Sequence, residues 1–262
     1  MSENTIIRRI VRFDETDSTN IRAAAAAENG EPSGTLFTAD LQTAGKGRRG
    51  RSWVVEKGTS ITMSLLLRPA FAADKASQMT LLAAMAITES VQKILHEVCG
   101  KDAPACQIKW PNDVLIGDKK ICGILTEMHT CPDGSYYVII GMGINVNTTK
   151  FAPQLTGRAT SLKIATGKTF DRDRLTELFG ESFLRFYRAF EKAGDVSEIT
   201  ADYDRMLVNR NRQVRIEGTQ EKLTGTALGI SSDGELLVRT QDGTVRAVRS
   251  GEVSVRGIYG YV

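Results

Sequence analysis

Apolar and polar residues along the chain follow spacings that predict most of its secondary structure. Runs with alternating apolar positions and many β-branched residues are typical of strands, whereas apolar residues at spacings of three and four are typical of helices. The alternating runs predict strands over residues 6–13, 35–41, 60–67, 107–115, 120–128 and 136–146. The helical spacings predict helices over residues 21–28, 75–98, 172–192 and 196–207.

The pattern changes near residue 209, where short β-rich runs separated by turn residues begin. The turn signals are Gly218, Gly225, Asp233-Gly234, Asp242-Gly243 and Gly251. Turns at about every 8 to 12 residues predict a small β-barrel. We therefore predict two domains: an α+β domain over residues 1–208, with helices packed on a mixed sheet, and a barrel over residues 209–262.

Composition narrows the possible functions. The 262-residue chain carries a net charge of +3, which is too small to indicate a general nucleic-acid or membrane binder. Residues 1–13 lack the apolar segment of a signal peptide, and no apolar run is long enough to span a bilayer. The four cysteines form no CxxC pair and the chain has two histidines, so we expect no protein-built metal site and a reducing, cytoplasmic location.

A loop over residues 43–53, TAGKGRRGRSW, combines three glycines with four cations. Glycines let a backbone approach a ligand closely, and guanidinium groups bind phosphate and carboxylate through paired hydrogen bonds. The loop is therefore suited to fold over an anion, and the alternative is a mobile surface loop with solvated cations. It is not a P-loop, because Lys46 is followed by Gly47 rather than by a Ser or Thr.

The segment Lys-Trp-Pro-Asn-Asp at residues 109–113 is the second candidate. Pro111 cannot donate a hydrogen bond to a sheet, so it marks an edge, a bulge or the end of a strand. Asn112 and Asp113 then form either an ordinary Asx turn or a polar contact with a nucleotide. Trp110 is more typical of a core residue than of a ligand platform.

Two further segments place a lysine and glycines on predicted strands. In residues 119–125, KKICGIL, strand alternation directs Lys119 to solvent and Lys120 inward, where an anion must offset its charge. Gly123, and the two glycines of residues 141–147, GMGINVN, indicate either bulges or room for a ligand. No nucleophile–histidine pair accompanies them, which favours electrostatic activation of an anionic substrate over nucleophilic hydrolysis.

Together these motifs resemble the biotin protein ligases, also called biotin–[acetyl-CoA-carboxylase] ligases. The resemblance is carried, in the family's order, by Ser18-Thr19-Asn20 and by residues 42–51 (QTAGKGRRGR), 109–113 (KWPND), 120–125 (KICGIL) and 141–145 (GMGIN). Residues 250–256 resemble the end of the family's C-terminal SH3-like barrel. The resemblance implies a catalytic domain like those of class II synthetases and biotin ligases, followed by that barrel.

The chain departs from the family pattern in two respects. Many members have GRGRRG where this chain has GKGRRG, so Lys46 keeps the charge but lacks the bidentate geometry of arginine. Some bacterial members begin with a helix-turn-helix domain that represses the biotin operon. Ser18 lies too near the start of this chain to leave room for one, so we expect a stand-alone ligase without a DNA-binding domain.

The resemblance implies a reaction in two steps. The carboxylate of biotin attacks the α-phosphate of ATP, which gives biotinyl-5′-AMP and pyrophosphate. A lysine of a biotin carboxyl carrier protein or domain then takes the biotin and releases AMP. Biotin and ATP are substrates, and Mg²⁺ is expected to bind mainly through the phosphates. We expect no membrane partner, and a homodimer is possible because exposed edge strands can pair.

The resemblance also implies the residues of the site. Its catalytic residues are Lys120, Arg48 and Asp113, the last of which could orient Lys120, orient a metal-bound water or accept a proton from the incoming lysine. Those implied to bind biotin are Ser18, Thr19, Asn20, Gln42, Gly45, Lys46, Gly47, Arg48, Lys120, Gly123, Gly141, Gly143 and Ile144. Those implied to bind ATP are Arg48, Arg51, Trp53, Asn112, Lys120 and Asn145.

Three other functions compete with this interpretation. The nearest is a lipoate or octanoate protein ligase of similar fold, against which the KWPND and GKGRRG segments argue. A non-enzymatic module that grips nucleic acid with its basic loop is disfavoured by the small net charge and by the lack of interleaved aromatic residues. A ligase-like protein without turnover is disfavoured because Arg48 and Lys120 are both present.

Overall fold

The computed structural model describes residues 4–218, 223–251 and 253–257, in which a seven-stranded sheet forms the larger part. Its strands are β1 (Arg9–Thr16), β2 (Thr35–Gln42), β3 (Ile61–Leu67), β4 (Cys106–Lys109), β5 (Asp113–Ile116), β6 (Lys119–Thr130) and β7 (Tyr136–Ile144). They lie in the order β1-β2-β3-β7-β6-β5-β4. β1 and β2 pair in parallel, and all the other neighbours pair antiparallel.

Helices cover both faces of this sheet. They are α1 (Thr19–Glu28), α2 (Met79–Cys99), α3 (Leu162–Thr166), α4 (Arg172–Ala193) and α5 (Thr200–Met206). The long helices α2 and α4 pack on each other and share the main core with one face of the sheet. On the opposite face the small side chains of Ala23 and Ala27 let α1 pack closely on Leu66, Tyr137 and Ile139. None of the helices in the described ranges combines the length and apolarity that crossing a bilayer requires.

Short-range signals fix the ends of the longest helix. The side chain of Asp171 accepts hydrogen bonds from the backbone amides of Asp173 and Arg174, which caps the start of α4. Gly194 follows the helix with a φ of +81°, a left-handed conformation that glycine adopts without steric cost. The apolar side of α4 is buried in the core, as the sequence predicts.

A second, five-stranded sheet forms the C-terminal part. Its strands are β8 (Gln213–Glu217), β9 (Leu223–Ile230), β10 (Leu236–Arg239), β11 (Val245–Val248) and β12 (Ser254–Gly257), in the antiparallel order β11-β10-β9-β8-β12. The turn between β9 and β10 contacts the N-terminal domain at Trp110 and Lys75. Trp110 donates its indole Nε1–H to the carbonyl of Gly234 at 3.0 Å, and Lys75 forms a 2.6 Å ion pair with Asp233.

The predicted mixed sheet with packed helices and the predicted C-terminal β-unit are confirmed, but one predicted strand is wrong. The run over residues 107–115 is two strands, β4 and β5, joined by a turn at residues 110–112. Pro111 has no amide hydrogen to continue the ladder, and the chain reverses so that Lys109 pairs with Asp113. Gly225 was expected in a turn but lies within β9, where a Cβ would overlap the carbonyl oxygen of Arg239.

The other differences concern the ends of elements. The first strand runs from Arg9 to Thr16 rather than over residues 6–13. The helices expected over residues 75–98 and 196–207 each begin with a 3-10 segment, at Ala73–Gln78 and Ser197–Ile199. α3 was not predicted, because its five residues are too few to show a helical period.

Candidate active site

The central strands β3, β7 and β6 carry small residues on the face that α1 partly covers. Cross-strand pairing places Thr62, Gly143 and Gly123 in one row, and Ser64 and Gly141 in the next row on the same face. Further along this face the side chains become large and apolar, and α1 packs on them. A cavity therefore opens beside the start of α1, where the side chains of the sheet are small.

The smaller of two adjoining cavities lies over these residues and has a volume of about 50 Å³. Its walls are the start of α1, the glycine-rich loop and the sheet. Of the residues predicted to bind biotin, it is lined by Ser18, Thr19, Asn20, Gln42, Lys46, Gly47, Arg48, Lys120, Gly123, Gly141 and Gly143. The fold thus gathers most of the predicted biotin residues in one place, and their contact with biotin stays a prediction.

The larger cavity, of about 1000 Å³, lies between the glycine-rich loop, the β4–β5 turn and the C-terminal sheet. Asp113 and all the residues predicted to bind ATP line it, namely Arg48, Arg51, Trp53, Asn112, Lys120 and Asn145. The residues that line both cavities are Gly47, Arg48, Trp53, Asn112 and Lys120. Two cations therefore stand where the cavities meet.

The glycine-rich loop is closed over the site. Its two limbs are joined by hydrogen bonds from the amide of Gly47 to the carbonyl of Arg51, at 2.7 Å, and from the amide of Trp53 to the carbonyl of Gly45, at 2.8 Å. A Cβ on Gly45 would overlap the carbonyl oxygen of Trp53, so the close approach of the limbs requires glycine there. Arg49, at the tip of the loop, has a φ of +60°, in the left-handed region.

Arg48 connects this loop to two other parts of the chain. Its guanidinium donates one hydrogen bond to Asn112 Oδ1, at 2.6 Å, and another to the backbone carbonyl of Gly251 beside the C-terminal sheet. Burial lowers the pKa of Arg48, and the Asp113 carboxylate acts in the opposite direction. An arginine stays protonated in spite of such a shift, so a fixed positive charge stands at the junction of the cavities.

Lys120 supplies the second cation. Its Nζ lies 2.5 Å from Asp113 Oδ1, and both side chains are mostly buried. The structure confirms the predicted orientation of this strand, because Lys119 is exposed and Lys120 points into the site. Asn112 ties the β4–β5 turn to β6, since its Nδ2 donates to the carbonyl of Ile124 at 3.1 Å. The turn that carries Asp113 is therefore fixed relative to Lys120.

Side chains of the protein already occupy the space over two of the glycines. The indole of Trp53 lies over Gly143, where a Cβ would overlap its Cε2. Asn20 fills the space over Gly141 in the same way, so the absence of a side chain at Gly141 makes room for the amide of Asn20. Trp53 Nε1 is buried and has no hydrogen-bond partner among the described residues, and Lys120 Nζ lies 5.9 Å from the centroid of the indole ring.

Two of the predicted biotin residues line neither cavity. Ile144 is 1% exposed and belongs to the main core, because it lies on the opposite side of β7 from Gly143. Gly45 packs between the backbone of Trp53 and the side chain of Gln42: a Cβ added to Gly45 would lie 3.0 Å from Gln42 Nε2. The geometry gives no support to a contact of either residue with biotin.

The larger cavity contains cations that the sequence did not single out. Lys109 is 3% exposed, and burial lowers its pKa to about 7 while Asp113 acts to raise it. Arg215 and Arg256 face each other on the paired strands β8 and β12. All three line the cavity. The sequence could have indicated Lys109, because it begins the KWPND segment. Nothing in the sequence indicates that Arg215 and Arg256, on two separate strands, lie in the same cavity as Lys109.

The acidic side chains of this region are few. Asp113 and Glu217 line the larger cavity. Within the described ranges, no group of three or more His, Cys, Asp or Glu side chains is arranged to hold a metal ion.

Comparisons with known proteins agree with this geometry. Residues 12–145 match the biotin/lipoate A/B protein ligase family, and residues 211–256 match the biotin protein ligase C-terminal domain. The bifunctional ligase/repressor BirA of Bacillus subtilis is 36% identical over 250 residues, which cover 95% of this chain and 74% of that protein. The biotin–[acetyl-CoA-carboxylase] ligase of Paracoccus denitrificans is 32% identical over 227 residues, which cover 86% of this chain and 91% of that protein.

A solved structure shows the same fold. The biotin protein ligase of Aquifex aeolicus in complex with biotin and ATP superposes with a TM-score of 0.78 at 29% identity, over 96% of this chain and 100% of that one. The two sheets and the residues between them thus match a known ligase over nearly the whole chain. The chain belongs to the biotin/lipoate A/B protein ligase family and, within it, to the biotin protein ligases, which are ATP-dependent.

Proposed function

We propose that the smaller cavity binds biotin, that the larger cavity binds ATP, and that adenylation takes place where they meet. The observation that carries this assignment is that Arg48 and Lys120 line both cavities. Biotin attacks through a carboxylate and ATP accepts the attack at a phosphate, so the two reacting groups repel each other. Fixed cations between them offset that repulsion and hold the groups in position.

Each side chain at the junction has a distinct part in this first step. Arg48, held by Asn112 and Gly251, presents a planar donor pair suited to a carboxylate or phosphate. Lys120 is a compact charge whose position is set by Asp113 at 2.5 Å. Asp113 therefore acts as a positioning group for Lys120, which is the first of the roles open to it from the sequence.

The second step needs protection of a mixed anhydride from water and access for an amine. The closed loop over residues 45–53 covers the smaller cavity, and the ring of Trp53 lies across its floor. Trp53 must move from Gly143 for the bicyclic ring of biotin to enter, and its indole then comes to lie by the nucleotide in the larger cavity, which it already lines. Closure of the loop around the adenylate would exclude bulk water until the acceptor lysine arrives.

Mg²⁺ would bind mainly through phosphate oxygens in the larger cavity. The residues present fit that mode, because cations dominate the walls and the described part of the chain offers no acidic cluster for an all-protein cation site. The ion would neutralise charge on the triphosphate, while Arg48 and Lys120 act on the reacting carboxylate and α-phosphate.

The acceptor is proposed to be a lysine of a biotin carboxyl carrier protein or domain of a biotin-dependent carboxylase. That amine would reach the junction through the larger cavity after pyrophosphate has left. We propose the boundary between the catalytic part and the SH3-like barrel at residues 208 and 209, and a cytoplasmic location, which suits four free cysteines. A homodimer stays a prediction.

Biotin-dependent exchange between ATP and pyrophosphate tests the assignment directly. Purified protein is incubated with Mg²⁺, ATP and labelled pyrophosphate, and biotin, lipoate and octanoate are compared as acid substrates. Exchange that depends on biotin supports the proposal, and transfer to a carrier domain completes it. Exchange with lipoate or octanoate instead of biotin would contradict the assignment of the smaller cavity.

A further inference from the structure

A chain of hydrogen bonds runs through the polar side of the smaller cavity. Asn20 Nδ2 donates to Glu127 Oε2 at 2.6 Å, and Ser64 Oγ lies 2.6 Å from Asn20 Oδ1 and 2.7 Å from Thr19 Oγ1. The hydroxyl and backbone amide of Thr19 both donate to Gln42 Oε1, at 3.0 and 2.7 Å. The chain therefore begins at a carboxylate and ends at an amide that lines the cavity.

The groups in the middle of this chain are buried. Ser64 has no exposed surface, Thr19 is 3% exposed and Asn20 is 6% exposed. Buried polar groups lose free energy if they are left without partners, so each member of the chain is held in the orientation that satisfies its neighbour.

Glu127 fixes the direction of the bonds at its own end of the chain. A carboxylate accepts hydrogen bonds and cannot donate them, so Asn20 must turn its NH₂ group toward Glu127 and its oxygen toward Ser64. Ser64 then donates its single proton to Asn20 Oδ1. Gln42 is oriented separately, because the backbone amide of Thr19 can only donate and therefore binds Gln42 Oε1 whatever the partner of Asn20. With Oε1 used in this way, Gln42 offers its NH₂ group, a donor, to a molecule in the cavity.

The donors that this arrangement offers suit one chemical class of ligand. Ser18 Oγ and the NH₂ groups of Gln42 and Asn20 belong to residues that line the same cavity. Several donors in one cavity match a strongly polarised carbonyl oxygen such as that of a cyclic urea, which accepts several hydrogen bonds at once. The apolar tail of a simple fatty acid offers no such acceptor at this end.

We propose that Glu127 is a positioning residue for biotin recognition, which orients the amide of Asn20 in the wall of the smaller cavity and, through it, the hydroxyl of Ser64. This proposal rests on the assignment of the smaller cavity to biotin. Glu127 lies on β6 opposite Ile139, in the row of the sheet next to Gly141, and itself lines neither cavity. Its effect on the ligand is therefore indirect.

The test compares Glu127→Met, which keeps the length of the side chain but cannot accept, with Glu127→Gln, whose amide oxygen can. In the exchange assay on the full chain, Glu127→Met should raise the KM for biotin about tenfold or more, the scale of a charge-assisted hydrogen bond. The kcat and the KM for ATP should stay within about twofold of wild type. Glu127→Gln should keep the KM for biotin close to that of the wild type. Glu177→Ala, which removes an exposed carboxylate paired with Arg174, should leave the kcat and both KM values unchanged.

A second measurement separates positioning from general damage to the fold. If Glu127 acts through Asn20, then Glu127→Met should have little further effect in an Asn20→Ala background, so the two changes are strongly non-additive. Should Glu127→Met fail to fold, Glu127→Thr, which suits a strand, makes the same comparison. Additive effects, or equal rises in the KM for biotin and ATP, would overturn the proposal.

The outcomes for the two proposals are distinguishable. Wild-type exchange with biotin, together with an unchanged KM for biotin in Glu127→Met, would overturn the role of Glu127 and leave the proposed function intact. Failure of the wild-type protein to bind biotin or to support exchange would overturn both.

Discussion

Replacing Lys120 with methionine tests the proposed electrostatics of the junction most directly. Methionine keeps most of the length and packing of the lysine stem beside Gly123 and removes its charge. One unit charge about 4 Å from another, at an effective dielectric constant of about 20, contributes about 4 kcal/mol. Loss of one preorganised donor at a developing charge typically costs about 100- to 1000-fold in kcat. We expect a loss of that size in biotin-dependent exchange.

The fold should survive this change. Arg48 still places a positive charge near Asp113, so loss of the Lys120 partner of this mostly buried carboxylate should cost about 1–3 kcal/mol, less than the stability of a typical domain. The matched control is Lys119→Met, which removes the same charge from the adjacent, exposed position on β6. Both variants are assayed for exchange at saturating biotin and ATP and for thermal unfolding. Exchange within about threefold of wild type in Lys120→Met, or an equal loss in Lys119→Met, would refute the reasoning.

Three further predictions address other contacts. In Gly143→Ala the new Cβ would overlap the indole of Trp53 and would also take up space in the cavity proposed for biotin, so we expect a changed tryptophan emission and a KM for biotin raised about tenfold or more; an unchanged emission would show that the ring is elsewhere. In Trp110→Phe the carbonyl of Gly234 loses a buried donor, and the free energy of unfolding should fall by about 1–3 kcal/mol, measured by denaturant titration. Burial lowers the pKa of Lys109 to about 7, so between pH 7 and 10 the unfolded chain binds more protons than the folded one. Stability of the wild type should therefore rise with pH across that window by at most about 1.4 kcal/mol per pH unit, and Lys109→Met should lose this contribution, so the difference in stability between the two proteins should show the slope.

Local patterns in the sequence predict the direction of a site residue's side chain where that direction depends on a single strand. Lys120 points inward and Lys119 outward because alternate side chains of a strand lie on opposite faces. The same rule fails for the KWPND segment. The alternation of a strand extends through residues 110–112 in the sequence, although these residues form a turn in the structure. Only the antiparallel return of the chain, with Lys109 opposite Asp113, shows that two short strands replace one.

Other features depend on contacts between distant segments and have no local signal. Asn20 fills the space above Gly141, although the glycine alone indicated room for a ligand. Arg215 and Arg256 become neighbours only through the pairing of β8 with β12. Glu127, on an otherwise half-buried strand, shows its relation to Asn20 only in three dimensions. The motifs can be identified from the sequence, whereas the contacts between their side chains depend on the packing of distant segments.

The larger cavity is bounded by both sheets, so a cut between the sheets would divide its walls between two fragments. The catalytic sheet contributes Lys109, Asn112 and Lys120 to its walls, while the C-terminal sheet contributes Arg215 and Arg256. Neither half contains a complete set of walls, so the aperture available to nucleotide and acceptor depends on how the two halves are oriented. A small rotation of one half would widen or narrow that entrance without altering a single residue of the smaller cavity. On the proposed assignment, nucleotide release and acceptor entry therefore depend on the relative orientation of the two sheets, and fragments separated between the sheets would lose both.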